Sequence, residues 1–169
     1  MTRFLVLGGG QQGSVIANEL CQDHVVSVAD ERALALQNVR NIKADLAEPG
    51  ELERLMREHD IVVGALPARL GFHAAKAAIA AKRPFVDVAF FAEEAASLDE
   101  DAKKAGIFVL PDCGLAPGLS NLITGRALAQ KPRKAVHIRV GGVAEDRNAP
   151  FGYAISWSPE DLVDEYIRP

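Results

Sequence analysis

Cysteine is scarce: this chain of 169 residues carries two, Cys21 and Cys113. They stand far apart in unlike surroundings, which excludes a disulfide framework and a cysteine-based zinc site. No set of His, Cys, Asp and Glu has the spacing of a metal site, and no nucleophile is paired with a base. Long apolar runs are missing too. None approaches the ~18 residues that a membrane-spanning helix needs. An excess of basic charge is also absent: Lys and Arg number 19 against 23 Asp and Glu, a formal net charge of -4. That balance leaves no electrostatic footprint for nucleic acid. The first residues lead straight into an apolar strand, with no charged and apolar leader ahead of it. Internal repeats and low-complexity tracts are lacking as well. A soluble protein in a reducing, cytoplasmic setting is expected.

What the chain has is apolar material, 49% of its residues, enough for a sizeable core, in a length that suits one domain or one domain and a piece of another. Its most telling stretch is residues 4–13, Phe-Leu-Val-Leu-Gly-Gly-Gly-Gln-Gln-Gly. An apolar strand feeds into Gly8-x-Gly10-x-x-Gly13, with Gln11 and Gln12 between the last two glycines, and a helix-compatible run follows. That is the order of a dinucleotide-binding unit. Gly8 permits the tight turn, Gly10 lets a pyrophosphate approach the backbone, and Gly13 lets the helix pack on the strand. The helix N-terminus offers unpaired N–H groups to the phosphates. Residues 25–29 read as a second strand ending at Asp30, about 20 residues past the glycines, where an acid accepts the adenine ribose hydroxyls. The plain alternative is that Asp30 caps a helix starting near Glu31.

Strands then alternate with helices. Residues 39–42 form a weak third strand, and 51–59 a helix with Leu52, Leu55 and Met56 on one face. Residues 61–63 open strand four, 69–82 are an alanine-rich helix, and 85–88 are strand five. Residues 93–105 form a helix with acids early and lysines late, and 107–110 are strand six. Short, nearly all-apolar strands belong to a parallel sheet buried on both faces. Six of them with right-handed helical crossovers give a doubly wound α/β Rossmann sheet of order 3-2-1-4-5-6. The grammar changes after a helix over 117–129. In residues 135–140 Val136, Ile138 and Val140 alternate with polar or small partners, the period of a half-solvated strand. The expected domains are therefore 1–130, binding the dinucleotide, and 131–169, the beginning of a second α/β domain. The chain reads as cut off inside that second domain, or as completed there by a partner.

Ligands in such sheets sit at the carboxyl ends of the strands. Asp30-Glu31-Arg32, Ala65-Leu66-Pro67, Asp87 and Asp112-Cys113 all lie there. Asp30 repels a 2′-phosphate, which favours NAD; Arg32 either receives that phosphate, if the cofactor is NADP, or stacks on adenine. Asp45 either reaches the adenine amine or caps the helix near Glu48. Asp87 needs a partner, from a cofactor ribose or a backbone N–H. Asp112 either orients a substrate amine or holds its loop, and Cys113 either lines the nicotinamide pocket or packs as a small apolar residue. His73 and His137 read as structural and solvated, and His24 and His59 carry no signal.

The stretch over residues 111–121, Pro-Asp-Cys-Gly-Leu-Ala-Pro-Gly-Leu-Ser-Asn, resembles the glycine-proline-glycine loop of the saccharopine dehydrogenase family, especially its lysine 6-dehydrogenase-like branch. Residues 63–67, Val-Gly-Ala-Leu-Pro, are similar to that branch, as are residues 152–158 and 164–169. The resemblance implies a Rossmann domain and a larger α/β domain that closes the substrate site and forms a homodimer. It implies NAD(P)-dependent oxidation of an amino acid at an amine-bearing carbon, with Asp112 and Cys113 as catalytic candidates. Members of the family continue past a position like Pro169, so much of the substrate half is expected to lie outside this chain. Two other readings stay open: a nucleotide-sensing regulatory domain without catalysis, and a module that keeps the fold for packing alone.

Overall fold

The computed structural model describes residues 1–141, 145, 146, 148 and 158–167. They divide into two compact units, Met1–Gly114 and Leu115–Pro169. The first unit is a six-stranded sheet of order β3-β2-β1-β4-β5-β6, every pairing parallel. Its strands are β1 (Arg3–Leu7), β2 (Val25–Asp30), β3 (Arg40–Lys43), β4 (Ile61–Gly64), β5 (Phe85–Asp87) and β6 (Val109–Leu110). The helices are α1 (Gln11–Leu20), α2 (Glu51–Arg57), α3 (Ala68–Ala81) and α4 (Asp99–Ala105). The expected strand order is the observed one.

Two apolar layers sandwich the sheet, and the period of two along β1 sorts its residues between them. Leu5 and Leu7 join Ala29, Val62, Phe85 and the inner faces of α2 and α3. Val6 joins Val26, Val28 and Val63 against Ala17 of α1. Leu5, Leu7 and Phe85 are fully buried, each contributing about 1.5–3 kcal/mol. In α3 the buried face is Ala74, Ala75, Ala77 and Ala78. Side chains this small let the helix axis come close to the sheet, which positions its N-terminus beside the end of β4.

Local chemistry explains where the elements differ from the sequence pattern. Residues 93–105 are not one helix. A 3-10 turn, Ala95–Leu98, precedes α4. The Glu94 side chain accepts from the Ala96 N–H, and the Ser97 hydroxyl donates to the Glu94 carbonyl at 2.7 Å. Such side-chain bonds compete with helical ones. The dipole-matched charges survive in α4, with Asp99, Glu100 and Asp101 in its first turn and Lys103 and Lys104 in its last. No helix starts near Glu31; residues 31–39 are irregular and lead into β3. β3 sits one residue later than expected, and β6 is the last half of the expected stretch.

The second unit holds α5 (Leu119–Gln130) and α6 (Pro159–Ile167). Asn121 fixes the start of α5, its Oδ1 accepting from the Gly118 N–H at 3.1 Å. The strand expected over residues 135–140 is not formed. Those residues are irregular, and Val136, Ile138 and Val140 are about half exposed. A strand needs a neighbour for its N–H and C=O groups, and the described residues pair none with it. The stretch 152–157, with Tyr153 and Trp157, lies outside the described residues. No helix among the described residues is long and apolar enough to cross a membrane, and no metal-holding group of His, Cys, Asp and Glu occurs among them.

Candidate nucleotide-binding site

The glycine turn joins the carboxyl end of β1 to the start of α1. Gly8 has φ +90°, a left-handed conformation that a side chain resists. A Cβ there would also lie 2.5 Å from the Ala65 carbonyl oxygen. Gly13 packs against the Gly8 carbonyl, so a Cβ on it would strike that oxygen. Gly10 is different: a Cβ built there meets nothing within 4 Å. Its missing side chain is not required by the protein's own packing, and it leaves open the approach to the backbone. Gly10 is also the N-cap of α1, with no side-chain capping bond and no acid in the first turn. The first N–H groups of α1, at Gln11, Gln12 and Gly13, thus have no intrahelical partner, and both glutamine side chains point to solvent. This terminus suits a pyrophosphate without any rearrangement.

Neighbouring strands hold the turn in place. The Gly8 N–H donates to the Ala29 carbonyl at 2.8 Å, and the Ala65 N–H to the Leu7 carbonyl at 2.8 Å. The Gly9 N–H donates to Asp30 Oδ2 at 2.8 Å. Asp30 is therefore not a helix cap; it ties the end of β2 to the glycine turn. Asp30 is 6% exposed as a residue, and its carboxylate also takes the Arg32 N–H, Nε and Nη2 at 2.9, 2.9 and 3.0 Å. Those bonds, the Arg32 side chain foremost, outweigh burial and pull its pKa down to about 2. Glu31 beside it is exposed.

The other candidates spread along the same edge. Asp45 is exposed, and its Oδ1 accepts the Ala47 N–H at 2.9 Å. It closes a turn ahead of α2, whose N-cap is Gly50, and so caps no helix near Glu48. Ala65, Leu66 and Pro67 link β4 to α3, with Pro67 as the N-cap. Asp87 closes β5 and is buried, 1% exposed. Its Oδ1 accepts the Ala89 N–H at 3.1 Å, while Oδ2 has no partner. Burial first, with the Asp112 charge adding to it, raises its pKa to about 6. The Asp87 carbonyl accepts the Cys113 N–H at 2.7 Å, which ties the Asp112-Cys113 loop to β5. Asp112 has φ +57°, and burial raises its carboxyl. Burial and then the charges of Asp87 and Asp112 push the Cys113 thiol up as well, which keeps it protonated and a poor nucleophile.

Two further glycines have a structural share in this edge: Gly64, inside the 63–67 stretch, and Gly71, which gave no signal by motif. A Cβ on Gly64 would lie 2.5 Å from Asp87 Oδ1, and one on Gly71 would lie 2.9 Å from Oδ2. Together they make the slot that holds the Asp87 carboxyl. A glycine inside an alanine-rich helix is costly, and that cost was the available clue to Gly71. His59 is buried, its Nδ1–H donating to the Leu55 carbonyl and its Nε2 accepting from the Ser27 hydroxyl, both at 2.8 Å. It lies at the opposite, amino end of the strands and is structural.

A doubly wound parallel sheet with an open, glycine-led helix terminus at the end of β1 defines a Rossmann dinucleotide-binding domain. Residues 4–110 match the family model described as the saccharopine dehydrogenase NADP binding domain. The chain belongs to the saccharopine dehydrogenase family, and its cofactor class is NAD(P). It is 25% identical over 174 residues to the NADP(+), L-glutamate-forming saccharopine dehydrogenase of Saccharomyces cerevisiae, an alignment covering 94% of this chain and 39% of that one. It is 28% identical over 147 residues to alpha-aminoadipic semialdehyde synthase of Arabidopsis thaliana, covering 80% and 13%. The apo saccharopine dehydrogenase (L-Glu forming) of Saccharomyces cerevisiae superposes with a TM-score of 0.70 at 23% identity, over 77% of this chain and 31% of that one. The chain spans well under half the length of these relatives.

Proposed function

We propose that this chain is the nucleotide-binding part of an NAD(P)-dependent oxidoreductase that acts on the amine-bearing carbon of an amino acid of the saccharopine or lysine class. The observation that carries the reading is Gly10. Its Cβ direction is empty of protein, while the glycines on either side are closed against the fold. Membership of the family supplies the reaction class. A nicotinamide held by this chain would supply the hydride acceptor for the amine-bearing carbon. The nitrogen releases a proton, a C=N bond forms, and water then converts the imine to a carbonyl with loss of the amine. The residues of this chain bind and orient. The N–H groups at the start of α1 hold the pyrophosphate, and the Asp30-Glu31-Arg32 segment faces the adenine ribose.

The ends of β4, β5 and β6, where Asp87, Asp112 and Cys113 stand, would hold the nicotinamide half. Asp112 and Cys113 are the substrate-side candidates, and the neutral thiol suits packing or hydrogen bonding better than covalent attack. The rest of the substrate site and a homodimer contact belong to the part of the family fold beyond this chain. Thermal unfolding with NADH or NADPH is the test. Ligand at about a hundred times its dissociation constant adds roughly 2.7 kcal/mol, a rise of roughly 5 to 11 °C for a protein of this size. No shift with either cofactor sinks the reading and leaves a module kept for packing alone.

A further inference from the structure

A cavity of about 380 Å³ opens at the amino ends of β1, β2 and β3, a volume within the range of small-ligand sites. The length of β1, about 13 Å, separates it from the glycine turn. Its walls are Arg3, Val25, Ser27, Arg40, Glu58 and His59. The sheet register assembles them. Arg3 lies opposite Val25, and Ser27 opposite Arg40. Paired residues share a face and every second residue returns to it, so these four side chains stand on the side of Leu5 that α2 covers. Ser27 and His59, both 3% exposed, form the floor. His59 Nδ1 lies 2.8 Å from the Leu55 carbonyl oxygen, which only accepts. Nδ1 therefore carries the proton, and Nε2 accepts from the Ser27 hydroxyl at 2.8 Å. The floor groups are committed to each other, and the donors left for a ligand are guanidinium N–H groups.

Arg3 gives Nε and Nη2 to Asp60 at 3.2 and 2.6 Å, which leaves the Nη1 hydrogens for another partner. Arg40 is less committed. It stands 3.6 Å from Glu58 with its side chain 67% exposed, and that gap is too long for a hydrogen bond. Two strand spacings and a stagger of two residues put the Cα atoms of Arg3 and Arg40 about 12 Å apart, so both side chains reach one anion between them. The end of α2, whose carbonyls would repel an anion, is already bonded. Its Leu55, Met56 and Arg57 carbonyls accept from His59 Nδ1, the His59 N–H and Arg83 Nη2. We propose that this cavity is a second anion site, which holds the phosphate group of a small phosphomonoester between Arg3 and Arg40, with the organic part against Val25. A phosphate brings nearly two charges and three oxygens to the two guanidinium forks. A carboxylate brings one charge and two oxygens. Arg40 moves from Glu58 to the phosphate, and Glu58 keeps Arg54, whose Nη1 stands 3.4 Å from its Oε1. Val25 is half exposed and supplies the apolar wall. The site stands independently of the cofactor reading.

The test is titration of the chain with inorganic phosphate, phenyl phosphate and succinate, read from backbone amide shifts in nitrogen–proton correlation spectra. Such spectra separate the amides of Val25, Ser27, Arg40 and His59 from those of residues 9–13, where the same anions can meet the glycine turn. Saturable shifts are expected at the first set, with phenyl phosphate tighter than inorganic phosphate and succinate weakest. Arg40→Gln removes a charge-assisted contact made by an exposed side chain. It should weaken phosphate at the first set about five- to thirtyfold, while shifts at residues 9–13 keep their midpoint. Arg40→Lys keeps the charge without the fork and should fall between the two. The melting temperature of each variant checks folding. Shifts confined to residues 9–13, or an unchanged phosphate midpoint in the folded Arg40 variants, overturn the site. Tighter binding of succinate than of phosphate overturns the assignment to a phosphate group.

Discussion

Gly10 and Gly13 belong to one motif, yet the structure sets them in opposite surroundings, and a pair of substitutions separates these. At Gly10 the backbone has φ -71° and ψ -162°, values open to any residue, and the Cβ direction is clear of protein. Gly10→Val loses some N-cap preference, about 0.5–1 kcal/mol. It regains a similar amount because the unfolded chain is stiffer, about 0.4–1 kcal/mol. The net change is under about 1 kcal/mol, or less than about 4 °C in melting temperature. At Gly13 a Cβ would strike the Gly8 carbonyl oxygen and lie 3.3 Å from the Ala65 Cβ. Gly13→Ala gains about 1 kcal/mol of helix propensity but forces two backbone segments apart. The upper end of the overpacking range, about 3 kcal/mol, applies there. The net loss is about 2 kcal/mol, or roughly 4 to 8 °C. Differential scanning fluorimetry with and without cofactor reads both effects. Gly10→Val should melt where the parent does and lose the cofactor-dependent rise. Gly13→Ala should melt lower and keep part of that rise. The reverse pattern, a destabilised Gly10→Val that still responds to cofactor, would refute the assignment of the open direction to the pyrophosphate.

Asp87→Asn should stabilise the protein at pH 7 and flatten its pH profile between about 4 and 6. The folded carboxyl keeps its proton up to about pH 6, whereas the unfolded one loses it near pH 4. The folded state thus binds more protons across that window, so stability falls as pH rises, by about 2 to 3 kcal/mol in total. Urea unfolding at pH 4 and pH 7 measures this, and equal slopes for both proteins would contradict the burial argument. Ser27→Ala should cost about 1–3 kcal/mol, because it strips the buried His59 Nε2 of its donor. An unchanged urea midpoint would show that the His59 bridge contributes nothing.

The sheet was legible because parallel strands buried on both faces leave a local record. β1, β2 and β4 are runs of apolar residues, and the Gly8-Gly10-Gly13 spacing places the turn without any long-range information. The place of Asp30 beside the glycine turn was legible for the same reason, since it stands at a fixed distance from the glycines. What occupies its lone pairs was not. Whether Asp30 caps a helix, ties down Gly9 or pairs with Arg32 depends on where β2 ends relative to β1. That is a register, Leu7 opposite Ala29, which no short stretch encodes. Asp87 shows the same limit. Its type and strand position could be read, but its slot is made by Gly64 and Gly71 from two other elements. The alternation over residues 135–140 marked a face without a partner, and a strand forms only where a partner supplies its hydrogen bonds.

The two ends of the cofactor edge are opposite in electrostatic character, and the cause is how each acid is bonded. Asp30 is nearly as buried as Asp87, 6% against 1% exposed. Burial alone would raise both. Asp30 stays ionised because four donors reach it, two of them from a guanidinium. Asp87 receives backbone N–H groups alone, and one of its oxygens none, so desolvation wins and its pKa rises. Asp112 and the Cys113 thiol shift in the same direction on the loop tied to Asp87. Asp30 is thus a committed anion already neutralised by Arg32. At the ends of β5 and β6, burial raises both Asp87 and Asp112 toward the protonated form. Any positive charge brought to the ends of β5 and β6 is favoured there, because it lowers the cost of ionising Asp87 and Asp112 together. The oxidised nicotinamide ring and a protonated substrate amine both carry such a charge.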